Sequence, residues 1–211
     1  MSLARGAGEY VLRLAVGVGV ARTASRSKVV LILIAACIGA APAAAQDVRV
    51  EASRDGEFVN VAAFAEFPAD LRVAWEVLSD YNRLAQFIPD ISSSRVVSRD
   101  GGRVVVEQRG TIGFFFYRQP VEVRLAVLEE PMRRITARAV GGNIRDLETR
   151  YELQPGGAGL KLVYAGRFIP EFTVPPLIGL PIMRHIIERR FRAMVSEILR
   201  RDALAKGAPR Q

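Results

Sequence analysis

Cysteine and histidine are nearly absent: the 211 residues hold one of each, Cys37 and His185. A Ser-His-Asp or Cys-His arrangement would rest wholly on His185, which sits beside Arg184 in a charged helical stretch and reads as a solvated helix residue. No Gly-x-Ser-x-Gly motif occurs. No His/Cys cluster exists and the acids are scattered among arginines, so no metal site is expected. The glycine pairs Gly141-Gly142 and Gly156-Gly157 sit at hairpin turns, not in a loop that cradles phosphate, and no cofactor is expected. A membrane-length apolar run is missing too: Val29 to Ile38, VVLILIAACI, has half of the ~20 residues a spanning helix needs.

That short run is informative in its context. Arg22, Arg26 and Lys28 precede it, and GAAPAAAQ follows, with small residues at Ala43 and Ala45. A charged region, a short apolar region and an Ala-x-Ala site form the layout of a secretory signal, with cleavage after Ala45. The apolar stretch Val11 to Val20 makes the charged region long and leaves the start codon open. Ile34-Ala35-Ala36-Cys37 resembles a lipobox, so lipidation at Cys37 is the alternative. Cleavage after Ala45 leaves a mature chain without cysteine, free of disulfide and thiol chemistry, which suits a periplasmic or secreted protein. The net charge of +8 shrinks with it: five basic residues and Glu9 lie in residues 1–45, so totals of 30 and 22 become 25 and 21, a net of +4. Neither that charge nor export favours a nucleic-acid partner.

Residues 46–56 read as a polar lead-in, 57–205 as one domain and 206–211 as a tail. Phe58 to Phe67 reads as a strand between Asp55-Gly56 and Pro68. Pro68-Ala69-Asp70 opens a helix capped by Asp70, with Val73, Ala74, Val77 and Leu78 at helical spacing. Pro89 ends the short apolar helix that follows. From Ile91 the period changes to two. Strands are expected at Ser93–Ser98, Arg103–Ile112, Tyr117–Leu128, Arg134–Val140, Asp146–Gln154 and Leu160–Phe168, with one apolar and one charged face. Between Pro176 and Ala205, Met183, Ile186, Ile187, Phe191, Met194, Val195, Ile198 and Leu199 recur at three- and four-residue spacing, a helix of about six turns. Arg184, Arg189, Arg190, Arg192, Arg200 and Arg201 are expected mainly on its other side.

The segment PADLRVAWEVLSDY (68–81), then Phe87-Ile88-Pro89, the strand Leu147 to Leu153 and the terminal helix resemble the polyketide cyclase/dehydrase and lipid-transport superfamily (START-like, SRPBCC), in particular its coenzyme Q-binding branch. The resemblance covers roughly residues 57–205. It implies an α+β helix-grip fold: a curved antiparallel sheet of about seven strands around a long C-terminal helix, with two short helices after the first strand. It also implies a hydrophobic small molecule or lipid, such as an isoprenoid quinone or fatty acid, held between sheet and helix. A cyclase or dehydratase acting in the same cavity is the alternative. Fold alone does not choose between them. A monomer is expected.

The resemblance places Tyr81, Leu84, Phe87 and Ile88 over one mouth of the cavity; completing the core is their other reading. Taking the apolar side of each strand as inward gives Val106, Gln108, Tyr117, Val123, Leu125, Ala137, Ala139, Thr149, Tyr151, Tyr164 and Phe168 as ligand-facing, with Ile187 and Phe191 from the helix. Ala137 and Ala139 leave space where a filled core would carry Leu or Ile. Gln108, Thr149, Tyr151 and Tyr164 supply the few polar contacts that orient an apolar ligand. Phe114, Phe115 and Phe116 at a hairpin, and Phe172, Val174, Leu177 and Ile178 in a proline-rich loop, offer a ligand entrance or a membrane contact. Arg118 and Arg167 flank those segments as partners for lipid headgroups.

Overall fold

The structure is a computed structural model and describes residues 48–114, 117–170 and 179–207, with the side chains of 114, 117 and 170 also outside the description. The lipobox, the cleavage site, Phe115, Phe116 and the Phe172 to Ile178 segment therefore lie outside the described residues.

Eight antiparallel strands form one sheet in the order β1-β2-β8-β7-β6-β5-β4-β3. They are β1 (Arg49–Asp55), β2 (Phe58–Phe67), β3 (Ile91–Asp100), β4 (Arg103–Phe114), β5 (Tyr117–Glu130), β6 (Arg134–Gly142), β7 (Ile144–Gly156) and β8 (Gly159–Pro170). The helices are α1 (Leu71–Leu78), α2 (Leu84–Phe87), preceded by a 3-10 turn at Tyr81–Arg83, and α3 (Gly179–Gly207). One strand more is present than the polar lead-in suggested. Residues 49–55 pair with β2 through the turn at Asp55 and Gly56, and bury Val50 while Arg49, Glu51 and Ser53 face water. The short helices thus follow the second strand, not the first.

The same alternation runs through the sheet and separates its faces. In β4, Val104, Val106 and Ile112 are buried while Arg103 and Arg109 are exposed. On the outer face, charges meet across strands: Arg124 Nε donates to Glu107 at 3.0 Å, and Arg138 to Glu148 at 3.1 Å. Both contacts join directly paired residues, the arrangement in which cross-strand pairs stabilise a wet face. Register shifts in β3, between β5 and β6 and between β7 and β8 interrupt the ladders. Such bulges bend and twist strands, which gives the sheet its curvature.

The helices cover the dry face. Asp70 caps α1 as expected, its side chain accepting from the Arg72 N–H at 2.7 Å. α3 is longer than its sequence pattern indicated, 29 residues or about eight turns, because Pro181 falls in the first turn, where no backbone N–H is needed. It buries Met183, Ile186, Phe191, Met194, Val195 and Ile198. Its C-terminal half is tied down by polar contacts. Asp202, 4% exposed, accepts from the Asp70 backbone N–H at 2.9 Å, and Arg201 binds Asp80 at 2.8 Å and Glu197 at 2.7 Å.

Candidate functional site

Toward the N-terminal half of α3 the sheet and helix do not meet, and a cavity of about 210 Å³ remains between them. Its walls come from the inward positions of β4 to β8, the 3-10 turn, α2 and α3. Tyr81, Val106, Gln108, Val123, Leu125, Ala137, Thr149, Tyr151, Tyr164, Phe168, Ile187 and Phe191 all line it. Leu84 and Ile88 do so as well, both buried.

Two expected residues do not. Phe87 is half-buried and packs toward α3, with the Arg201 guanidinium 5.6 Å from its ring centroid. Ala139 lies beyond the cavity because the β6–β7 ladder ends at Arg138 and Glu148. The space that Ala139 was expected to open is bordered instead by Ile144 and Leu147 of β7, downstream of the hairpin. Tyr117, Phe114 and the proline-rich loop fall outside the described side chains. Arg167, expected at a headgroup, stacks on Phe58 at 3.5 Å.

Register explains the polar centre of the cavity. Tyr151 and Tyr164 are directly paired between β7 and β8, and their ring centroids lie 4.8 Å apart. The adjacent pair on that face is Thr149 with Gly166. Gly166 makes room for the Tyr164 ring: a Cβ there would stand 2.5 Å from the phenol oxygen. Burial, then the neighbouring phenol, pushes Tyr151 far above its ordinary value, and burial pushes Tyr164 up to about 12. Both rings therefore remain neutral hydrogen-bond donors. Gln108 contributes an amide that reaches the buried Ser94 hydroxyl at 3.4 Å.

At the other end, Tyr81 is buried and its hydroxyl has no hydrogen-bond partner. Burial first, then the nearby Glu129 carboxylate, raises this phenol well above its usual range. Glu129 itself is engaged by Arg99 at 2.8 Å. Its other oxygen, like the phenol, stops short of a hydrogen bond.

Arg190 was expected among the solvated arginines of α3, and the structure places it in the cavity wall. The residue is half-buried, and its guanidinium is largely removed from water, with Nε wholly buried. Loss of hydration lowers the tendency of its guanidinium to stay charged, while Asp90, Tyr164 and Tyr151 favour the cation. The signal was present in the spacing: Arg190 follows Ile186 by four and Ile187 by three, and precedes Met194 by four, so it stands on the apolar stripe. Asp90, beside it, adopts a left-handed backbone with φ of 67° and forms an ion pair with Arg189. Gly110 permits this geometry, because a Cβ at that position would collide with the Asp90 carbonyl.

The cavity and its polar groups define a class: a helix-grip protein with a partly open, mainly apolar chamber. Residues 67–195 match the model of the family described as polyketide cyclase / dehydrase and lipid transport. That is well over half of the chain, and the protein belongs to this family. No curated protein matches it in sequence. Its fold is shared with the STAR-related lipid transfer protein from Xanthomonas axonopodis, at 13% identity and a TM-score of 0.59 over 72% of this chain and 93% of that one. A protein from Thermus thermophilus gives 18% identity and 0.54 over 72% and 99%. The Zhui aromatase/cyclase from a Streptomyces species gives 15% and 0.54 over 74% and 94%. Family and fold make this a START-like protein of the hydrophobic-ligand-binding or cyclase-like kind. Among the described residues no helix is long and apolar enough to cross a membrane, and no group of ligating side chains could hold a metal ion.

Proposed function

We propose that the protein is an exported carrier that holds a hydrophobic small molecule in the chamber between sheet and α3. The observation that carries this reading is a chamber walled by Val106, Val123, Ala137, Phe168, Ile187 and Phe191, with few polar groups. Each CH2 buried there contributes on the order of 0.8 kcal/mol, so binding needs no catalytic group. Catalysis as a cyclase or dehydratase would call for an acid and a base within hydrogen-bond reach. Among the described cavity side chains the acid is Asp90, and its carboxylate is held by Arg189, which remains a cation. The perturbed phenols are shifted away from neutral pH, which suits donors and not general bases.

Size narrows the ligand. The chamber's volume of about 210 Å³ falls below the roughly 300–1,000 Å³ of drug-sized sites. A ring-sized group or a short chain fits inside; a long isoprenoid tail would have to leave through a mouth or widen the chamber. The test is native mass spectrometry of the full-length chain, expressed in a Gram-negative host and purified without detergent. A co-purifying organic mass supports the carrier. An empty protein that takes up neither quinones nor fatty acids overturns it. The same spectrum reads export: a mature chain beginning at Gln46 supports cleavage after Ala45, and an acylated chain beginning at Cys37 supports the lipoprotein form.

A further inference from the structure

Arg190 is the one charged side chain of α3 that lines the chamber, and the carboxylate that favours its charge, Asp90, is ion-paired with Arg189. Arg190 Nε is buried without a hydrogen-bond partner. The contact with Arg189 leaves the Asp90 carboxylate shared between two arginines. A guanidinium keeps its charge under almost any environment, and a buried cation whose hydrogen-bond donors are not all met is a costly group for a fold to carry. An apolar residue on that stripe would stabilise the empty protein, so folding does not explain an arginine there. A neutral ligand would leave the cation as it stands. An oxyanion would pair with it through two parallel N–H···O bonds.

Resting on the reading of the chamber as a hydrophobic-ligand site, we infer that the ligand ends in a carboxylate or equivalent oxyanion held by Arg190, with Tyr151 and Tyr164 beside it. The two phenols sit at the same end of the chamber as Arg190 and have hydroxyl protons to donate to the remaining lone pairs of that head. The apolar remainder lies against Val106, Ala137 and Phe168. The ligand class is thus an amphipathic organic acid, not a quinone or an alcohol.

The experiment is displacement of the neutral dye N-phenyl-1-naphthylamine from the full-length protein at pH 8 by decanoic acid, methyl decanoate or 1-decanol. Decanoate is expected to displace the dye at a concentration about tenfold or more below that of either neutral compound. Arg190→Met should abolish that preference while still binding the dye and should raise the melting temperature of the empty protein; Arg190→Lys should restore part of the preference. Equal potency of acid and ester on the native protein, or an acid preference that survives in R190M, overturns the inference and leaves the carrier standing. Failure of R190M to fold also counts against it, because the arginine would then be needed for structure. Absence of any dye binding removes the carrier reading and this inference together.

Discussion

Ala137 is the residue at which the chamber can be tested by filling it. It is buried, lines the cavity and is paired across the sheet with Val127 and Thr149. Ala137→Leu adds three carbons, worth roughly 2.4 kcal/mol at about 0.8 each. Ordering the new side chain takes back about 0.5–1 kcal/mol, leaving a gain of about 1.5. For a domain of this size, each kcal/mol moves the melting temperature by about 2–4 °C, so a rise of about 3–6 °C is expected in differential scanning calorimetry of the empty protein. Ligand capacity should fall in the same variant, because the added carbons occupy the ligand's space. A lowered melting temperature with undiminished ligand uptake would refute the reasoning: the side chain would then have met packed protein, and the ligand would lie elsewhere.

Two further predictions follow from single contacts. Gly166→Ala should push the Tyr164 hydroxyl from its place, since the new Cβ would stand 2.5 Å from it; affinity for the co-purifying ligand should drop about tenfold or more while the far-UV circular dichroism stays native, and unchanged affinity would dismiss that phenol from the site. Glu197 is held at about 2 by hydrogen bonds from Arg200 and Arg201, against an ordinary value of 4.5. A depressed folded-state value contributes stability above the unfolded value and loses it as pH falls from about 4.5 toward 2. Glu197→Gln should therefore be less stable near neutral pH, with the difference from the native protein closing across that window in urea titrations.

The inner face of the sheet could be read from sequence because strand alternation is strict. Val104, Val106 and Ile112 in β4, and Leu160, Leu162, Tyr164 and Phe168 in β8, all fall on one side of a two-residue period, and each is buried. β1 escaped notice because its buried side is small: Val48 and Val50 alternate with charged neighbours, and a short edge strand carries little apolar signal. Ala139 shows the limit of alternation, which gives the face of a strand but not where its ladder ends. Arg190 shows the limit of composition. Its neighbours Arg189 and Arg192 point outward, so residue type grouped it with them, while the three- and four-residue spacing put it with Ile187 and Met194. Its unmet Nε is a tertiary fact, since Asp90, a hundred positions earlier in the chain, is engaged by Arg189.

The unequal fastening of α3 has a kinetic consequence. Asp202 and Glu197, at the far end, are enclosed, with 4% and 8% of their surface exposed, and their polar ties would be lost at full desolvated strength. The Arg189–Asp90 pair, over the chamber, keeps 44% of its arginine side chain in water, and an ion pair so exposed is worth about 1 kcal/mol or less. Local openings draw on the weakest fastenings first. The helix is thus built like a clasp with one riveted end: the polar ties of the half above the chamber are weaker than those of the half against α1. In the proposed carrier, cargo exchange would then proceed at the pace of a local fluctuation, without passage through the unfolded state.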